Sequence, residues 1–242
     1  MRYLVFSDIH GNVEALERVL EEAARLRPDL IVSLGDVVGY GANPNECIDI
    51  VQESARLRIG GNHDTAAAGL IDTESFNATA RAAIRWTSRT IDPKHREALG
   101  EYDTIRRYGE CIFAHASPLA PMDWEYVSTI GQANRIFRGT GERFIFIGHT
   151  HIPAIIEHNG LRGSRVVAGT FVSIESESRY LINVGSIGQP RDGIAAASMA
   201  LLDDRKGVIT IRRVPYDIRS AQEKIRNVGL PESLALRLAT AR

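Results

Sequence analysis

Short apolar runs alternate with amphipathic stretches at the start of the chain. Tyr3 to Phe6 is a continuous apolar run, and Leu30 to Leu34 is a second run with the pattern of a buried strand. Between them, apolar residues from Val13 to Ala24 recur at helical spacing. This order predicts a βαβ unit, and therefore a parallel sheet that is covered on both faces.

The next stretch adds a helix, a strand and a region without strands. Asn43 and Pro44 are typical of a helix N-cap and a first helical residue, and they predict a helix that ends near Ser54. A third strand is predicted from Arg56 to Ile59. From about residue 65 to 103 the pattern predicts helices alone, which we interpret as a helical insertion.

The rest of the chain is richer in predicted strands. They cover Cys111 to Ala114, Phe144 to Ile147, Ala154 to Glu157, Arg165 to Val167, Tyr180 to Val184, Ser198 to Leu202 and Val208 to Val214. A final helical segment runs from Ile218 to Ala241, with a break at Gly229 to Pro231. We therefore expect one α/β domain that spans residues 1–242.

Composition narrows the classes of function. The formal net charge of -1 gives no general basic excess for holding a nucleic-acid backbone. No stretch approaches the roughly 18 apolar residues that cross a membrane, and no signal peptide precedes the first strand, so we expect a cytoplasmic protein. Cys47 and Cys111 are expected to be reduced and buried.

Side chains that can bind metal ions follow five of the predicted strands. They are Asp8, His10, Asp36, Asn62, His63, His115, His149 and His151. The carboxyl ends of parallel strands form the ligand-binding edge of such a sheet. A lone Asp or His after a strand is usually a turn or surface residue. Five of the chain's seven histidines lie at strand ends, however, and random placement rarely produces that.

The types of side chain in this set favour one kind of chemistry. Imidazoles, carboxylates and an amide without a thiolate suit Mn, Fe, Zn, Co or Ni better than Ca or a structural Zn ion. The candidates are too many for one ion, so two ions that share a carboxylate are expected. Two ions about 3.5–4 Å apart can clamp the attacking and leaving oxygens of a phosphoester, with a bridging hydroxide as nucleophile.

Together these residues resemble the calcineurin-like metallophosphoesterase superfamily. The resemblance rests on five blocks in order: Asp8 to Asn12, Gly35-Asp36, Gly60 to Asp64, His115, and Gly148 to His151. It implies a four-layer αββα sandwich and a dinuclear site. One ion would be held by Asp8, His10 and His151, the other by Asn62, His115 and His149. Asp36 would bridge the two.

In this family His63 would stay off the ions and act on the substrate. As an imidazolium it could stabilise phosphoryl oxygens or protonate the leaving oxygen. Asp64 either orients His63 or has a local turn role.

A narrower resemblance points to small bacterial phosphoesterases of the YfcE type. Tyr40 stands where Ser/Thr protein phosphatases have a phosphate-binding Arg, and Asn183 to Arg191 is similar to a late block of the YfcE group. Arg191 is a candidate partner for a phosphate oxygen. Asn183 and Ser186 are expected to form a structural turn.

Other polar and aromatic residues are assigned structural roles. Tyr40, Asn43 and Asn77 could line the mouth of the site, but they are expected to be rim or capping residues. Asp123, Trp124 and Tyr126 are expected to pack the insertion rather than form a base-stacking wall. His95 and His158 are expected at the surface.

The expected function is hydrolysis of a small-molecule phosphodiester or phosphomonoester, with a nucleotide as one candidate. Mn is the first expectation for the metal, ahead of Fe, Zn, Ni or Co. A catalytically dispensable protein-binding scaffold, as in the retromer subunit that resembles this family, is one alternative. A nuclease is another, because Arg81, Arg85 and Arg89 share one helix face.

Overall fold

Twelve strands and eight α-helices make up the computed structural model, which describes residues 1–242. The strands are β1 Arg2–Phe6, β2 Leu30–Ser33, β3 Leu57–Arg58, β4 Ile105–Tyr108, β5 Cys111–Ala114, β6 Phe144–Ile147, β7 Ala154–Asn159, β8 Gly163–Val166, β9 Phe171–Ser173, β10 Ser178–Asn183, β11 Ala197–Asp203 and β12 Val208–Val214. The helices are α1 Val13–Leu26, α2 Pro44–Ser54, α3 Asn62–Ala68, α4 Ala78–Thr90, α5 Pro93–Gly100, α6 Ile130–Gly139, α7 Ile218–Asn227 and α8 Glu232–Thr240.

The strands form two mixed sheets of six. The first has the order β3-β2-β1-β11-β12-β9, and β1, β2 and β3 are parallel to each other. The second has the order β4-β5-β6-β10-β7-β8, and β5, β6 and β10 are parallel. The parallel sheet predicted from the first βαβ unit is thus confirmed, and antiparallel strands complete each sheet.

Successive side chains of a strand point to opposite faces of the sheet, and this alternation produces the layers. Val5 of β1 packs with Phe113 and Phe146 in a buried cluster between the two sheets. Leu4 and Phe6 point to the other face, where the apolar sides of α1 and α2 cover them. On the far side of the second sheet, α6 packs against β5 and β6. Helices therefore lie outside both sheets, which confirms the αββα sandwich.

Several helices begin at side-chain caps that the sequence supplies. Asn12 accepts a hydrogen bond from the Ala15 N–H at the start of α1, and Asn77 accepts one from Ala80 at the start of α4. Pro44 is the first residue of α2, as predicted. Residues 62 to 100 hold α3, α4 and α5 and no strand.

Helix α6 and strand β9 have no counterpart in the sequence prediction. Helix α6 begins with a capping box in which Thr129 and Gln132 exchange hydrogen bonds, a signal present in the sequence. Strand β9 is three residues long and lies at a sheet edge, where there is little apolar pattern to detect it. Both cysteines are buried thiols, as expected.

The expectation that His95 lies at the surface is wrong. Its side chain is 2% exposed, and its ring nitrogens contact the side chains of Asn45 and Asp49 on α2. His95 joins α5 to α2, so it is a structural histidine. His158 is half-buried and stacks on Phe137 with ring centroids 4.9 Å apart.

No helix of this fold is both long and apolar enough to cross a membrane.

We predict that Phe146→Ala lowers the free energy of unfolding by about 3–5 kcal/mol, because it leaves a cavity between the sheets. Phe146 is fully buried and stacks on Phe113 at 5.3 Å between ring centroids. Urea denaturation followed by circular dichroism measures the change. Leu161→Ala is the control, since Leu161 is 98% exposed, and it should change stability by less than about 0.5 kcal/mol. Equal losses in both variants would contradict this account of the core.

Candidate metal centre

The carboxyl ends of parallel strands from both sheets meet at one edge. Asp8 and His10 follow β1 and Asp36 follows β2, while His115 follows β5 and His149 follows β6. Backbone hydrogen bonds join neighbouring strand ends: Asp8 N–H to Gly35 O at 2.9 Å, His10 N–H to Asp36 O at 2.9 Å, and Gly148 N–H to His115 O at 2.9 Å. The strand ends are therefore fixed relative to each other by the main chain.

Three of the histidines at this edge are oriented by backbone carbonyls. The Nδ1 atoms of His10, His115 and His151 lie 3.1, 2.9 and 2.6 Å from the carbonyl oxygens of Val38, Leu34 and Gln189. A carbonyl only accepts, so each Nδ1 carries the proton. In the neutral ring this leaves the Nε2 lone pair pointing inward, which is the arrangement typical of metal-binding histidines.

The inward-facing donor atoms form two groups with no residue in common, and a third set, His10, Asp36 and His63, overlaps both. In the first, Asp8, His10 and His151 each offer an atom within 4.8 Å of the others, and in the second, Asp36, His115 and His149 do the same. Asp36 Oδ2 lies 3.7 Å from His10 Nε2 of the first group and 3.4 Å from His115 Nε2 of the second. One carboxylate oxygen thus stands between the two groups.

The contacts within these groups fit a bound cation. His10 Nε2 and His151 Nε2 are 3.1 Å apart, and in the neutral rings, whose single proton is on Nδ1, neither Nε2 can donate. Asp8 Oδ1 and Asn62 Oδ1 are buried without a hydrogen-bond partner. Buried polar atoms are otherwise almost always paired, so this donor set is suited to a metal ion.

The buried carboxylates of the site favour positive charge beside them. Burial raises the pKa of the Asp36 carboxyl, but the imidazoles of His115 and His63 outweigh it and hold the pKa well below its usual range. Burial lowers the pKa of His115, yet the carboxylates of Asp36 and Asp8 raise it to about 9. Burial and the charge on His115 lower the pKa of His149 to about 3. In the metal-free chain, protonated His115 therefore balances part of the carboxylate charge.

Backbone strain is concentrated at this edge. Nine non-glycine residues have positive φ, and seven of them line the site: Asp8, His10, Asp36, Tyr40, Trp124, His149 and His151. Such conformations persist only where the surrounding structure enforces them, and they cluster at functional sites.

Two glycines permit close approaches that any side chain would block. A Cβ on Gly61 would lie 2.0 Å from Asp36 Oδ1, and a Cβ on Gly39 would lie 2.3 Å from His63 Nδ1. Gly39 also has a φ of +88°. Both positions pack backbone directly against side chains of the site.

His63 borders both groups. Its backbone N–H donates to Asp36 Oδ1 at 2.9 Å, and its ring nitrogen Nδ1 has no partner. Asp64 accepts from the backbone N–H groups of Gly61 and Val38, not from the His63 ring, so its local turn role is the one the contacts support. Burial lowers the pKa of His63 to about 4.

Aromatic side chains surround the donor atoms. Tyr40 is 7% exposed and its ring lies 4.5 Å from His63 and 4.6 Å from His10, so the expectation of a rim residue is wrong. Phe76, which the sequence did not single out, lies 5.2 Å from His63. Tyr126 stacks on His149 at 4.1 Å and is 50% exposed, so it faces solvent at the site instead of packing the insertion.

A cavity of about 290 Å³ opens between these rings. Phe76, Trp124 and Tyr126 form apolar walls, and Asn62, His63 and His149 lie in its lining. Asn77 also lines it, in addition to capping α4. Donor atoms and aromatic walls therefore share one opening.

The segment from Asn183 to Arg191 lies beside the metal centre. Ser186 Oγ donates to Asp8 O at 2.7 Å, and Asn183 Nδ2 donates to Gly148 O at 2.8 Å, which confirms their structural role. Arg191 is half-buried, and its Cζ lies 5.9 Å from the Tyr40 ring centroid. Arg237 of α8 donates to the same Gln189 Oε1 as Arg191. Gln189 belongs to this segment, but no sequence motif indicated Arg237, since its proximity to Gln189 depends on where α8 packs.

Known proteins are similar to this chain in sequence and in fold. The sequence model of the calcineurin-like phosphoesterase superfamily domain matches residues 1–207. The chain is 39% identical over 242 residues to the uncharacterized protein MJ0912 of Methanocaldococcus jannaschii, covering 98% of this chain and 97% of that protein.

Solved structures have a similar fold. The crystal structure of a metallophosphoesterase from Sphaerobacter thermophilus has 36% identity and a TM-score of 0.87, covering 100% of this chain and 99% of that one. The hypothetical protein PH1004 from Pyrococcus horikoshii OT3 has the same fold, with a TM-score of 0.81 at 19% identity and coverage of 100% and 98%.

We predict that Gly39→Ala costs more stability than Gly69→Ala. Both glycines have left-handed φ, +88° and +84°, so both substitutions carry a backbone cost of about 1–2 kcal/mol. Only the Gly39 Cβ meets a side chain, His63, whereas the Gly69 Cβ meets nothing within 4 Å. Gly39→Ala should therefore lose a further 1–3 kcal/mol or so of unfolding free energy in urea denaturation. Indistinguishable losses would contradict the tight packing of His63.

Proposed function

Because the chain belongs to the calcineurin-like phosphoesterase superfamily, we propose that it is a metal-dependent hydrolase of a small-molecule phosphodiester or phosphomonoester. The observation that carries this proposal is the pair of donor groups with Asp36 Oδ2 between them. Asp8, His10 and His151 would hold one divalent ion, and Asn62, His115 and His149 the other. Asp36 would contact both.

The donor set suits transition metals. It contains imidazole nitrogens, carboxylate oxygens and one amide oxygen and no thiolate, so Mn is the first candidate, followed by Fe, Zn, Ni and Co. When bound, two such ions would lower the pKa of water and neutralise charge on the phosphoryl oxygens.

His63 is the candidate catalytic residue. It is neutral near pH 7 in the free protein, since burial lowers its pKa to about 4. An anionic phosphoester beside it would favour the protonated ring. His63 could then donate a hydrogen bond to a phosphoryl oxygen or transfer a proton to the leaving oxygen.

The cavity supports a small substrate with a flat group. Its volume of about 290 Å³ is near the lower end of small-molecule sites. Phe76, Trp124 and Tyr126 give it apolar walls on which an aryl group or a nucleobase can stack. A nucleotide ester is therefore the leading candidate substrate.

The nuclease alternative receives less support from the helix face that suggested it. The Arg81 guanidinium donates to the carbonyl oxygens of Thr73, Glu74 and Phe76, so it holds the loop that carries Phe76 and is not free for a phosphate track. The scaffold alternative does not account for a buried donor set with unpaired oxygens.

We expect the chelator-treated chain to bind two Mn²⁺ ions in isothermal titration calorimetry. Asp36→Asn should weaken binding of both ions by at least about 100-fold, because it removes the shared charge. Asp204→Asn is the matched control, since Asp204 is exposed and pairs with the N-terminus. A stoichiometry of one ion, or unaltered binding by Asp36→Asn, would contradict the dinuclear assignment.

Hydrolysis of a nitrophenyl phosphodiester and a nitrophenyl phosphomonoester, with Mn²⁺ restored after chelation, tests the role of His63. His63→Gln should lower kcat by about 100-fold or more while Mn²⁺ binding persists, since the variant loses only proton donation. His95→Gln controls for the loss of a buried histidine away from the site. The role is refuted if His63→Gln keeps kcat within about threefold of the unsubstituted chain.

A further inference from the structure

Two arginines from distant parts of the chain meet at one buried amide. Arg191 Nη2 and Arg237 Nη1 donate to Gln189 Oε1 at 3.0 and 3.1 Å. Arg191 follows β10 and Arg237 lies on α8. A single neutral oxygen therefore accepts from both guanidinium groups.

Their positive charges are not balanced within the chain. Arg213 pairs with Asp192, which follows Arg191 in the sequence, and Arg226 pairs with Glu232 of α8. Neither Arg191 nor Arg237 has a carboxylate within 4.0 Å. The Nε atoms of both are buried without a hydrogen-bond partner. Burial and the charge of Arg191 lower the pKa of Arg237. Two half-buried like charges with unused donors are costly unless an anion joins them.

The pair lies beside the metal centre. The Arg191 N–H donates to His151 O at 3.2 Å, and Gln189 O faces His151 Nδ1 at 2.6 Å. Tyr40 borders both the aromatic cavity and Arg191. Arg237 contacts this region through Gln189 and forms no hydrogen bond or ion pair with the candidate metal-binding side chains. An anion held by Arg237 would therefore lie farther from the candidate metal-binding side chains than a phosphoryl group bound at the metal centre.

We propose that Arg191 and Arg237 form a second phosphate subsite, which binds a further phosphoryl group of a substrate that carries two. Two guanidinium forks with free Nε and Nη donors match the several oxygens of a phosphate. The presence of the subsite is independent of the reaction, but its use in substrate selection rests on the proposed function.

Binding of inorganic phosphate to the chelator-treated chain tests the subsite without any hydrolysis. Calorimetric titration should give an affinity that Arg237→Gln weakens by about tenfold or more, which a charge-assisted hydrogen bond of ordinary strength provides. Arg219→Gln is the matched control, because Arg219 is exposed on α7 and pairs with Glu223. No phosphate binding by the unsubstituted chain, or equal affinity in Arg237→Gln, overturns the proposal.

A second variant guards against loss of folding. Gln189→Glu would place a carboxylate at the atom that both guanidinium groups already contact. It should raise the midpoint of thermal unfolding and weaken phosphate binding by about tenfold or more, since the pair then has an internal anion. A lower midpoint together with unchanged phosphate affinity would overturn the proposal.

Kinetics then test substrate selection. The two substrates are a thymidine nitrophenyl phosphodiester with and without a second phosphate on the free sugar hydroxyl. Arg237→Gln should raise the KM of the doubly phosphorylated ester. The ratio of its kcat/KM to that of the singly phosphorylated ester should therefore fall by about tenfold. An equal loss on both esters would place Arg237 at the scissile group and overturn the assignment. If neither ester is cleaved by the unsubstituted chain, the phosphodiesterase form of the proposed function fails, and the phosphate titration still decides the subsite.

Discussion

Asp36 places a buried negative charge at the point where both sheets end, and such a charge is tolerated only where donors or cations face it. Its Oδ1 accepts the backbone N–H of His63, and its Oδ2 faces the rings of His10 and His115. The carbonyl that holds each ring determines which nitrogen faces inward. The rest of the site is arranged around satisfying this one carboxylate.

Rigidity at this edge comes from main chain more than from side chains. Asp8, His10 and Asp36 adopt left-handed backbone conformations, and hydrogen bonds between strand ends hold them there. Gly61 lets the start of α3 approach Asp36 so closely that a Cβ would overlap the carboxylate. Strain of this kind is supported by the two sheets, whose interface is filled by large apolar side chains.

Much of the fold and the donor set could be predicted from the sequence because both depend on local pattern. Apolar runs marked β1 and β2, and the residue that follows a strand has a defined place at the sheet edge, so Asp8 and Asp36 were found without a structure. The predictions for Tyr40 and His95 were wrong for a different reason. Burial of a polar aromatic ring depends on which distant helix covers it, and α2, α4 and α8 supply that cover. Arg237 was missed for the same reason, since only tertiary packing brings it to Gln189.

The match to the superfamily ends at residue 207, yet α7 and α8 lie beyond that point and pack against Tyr40 at the border of the centre. Residues 1–207, which match the superfamily, are therefore followed directly along the chain by the segment that holds α7 and α8. The two helices contain none of the candidate metal-binding side chains, which all lie between residues 8 and 151. A change in α7 or α8 therefore alters the border of the centre without replacing any of these side chains.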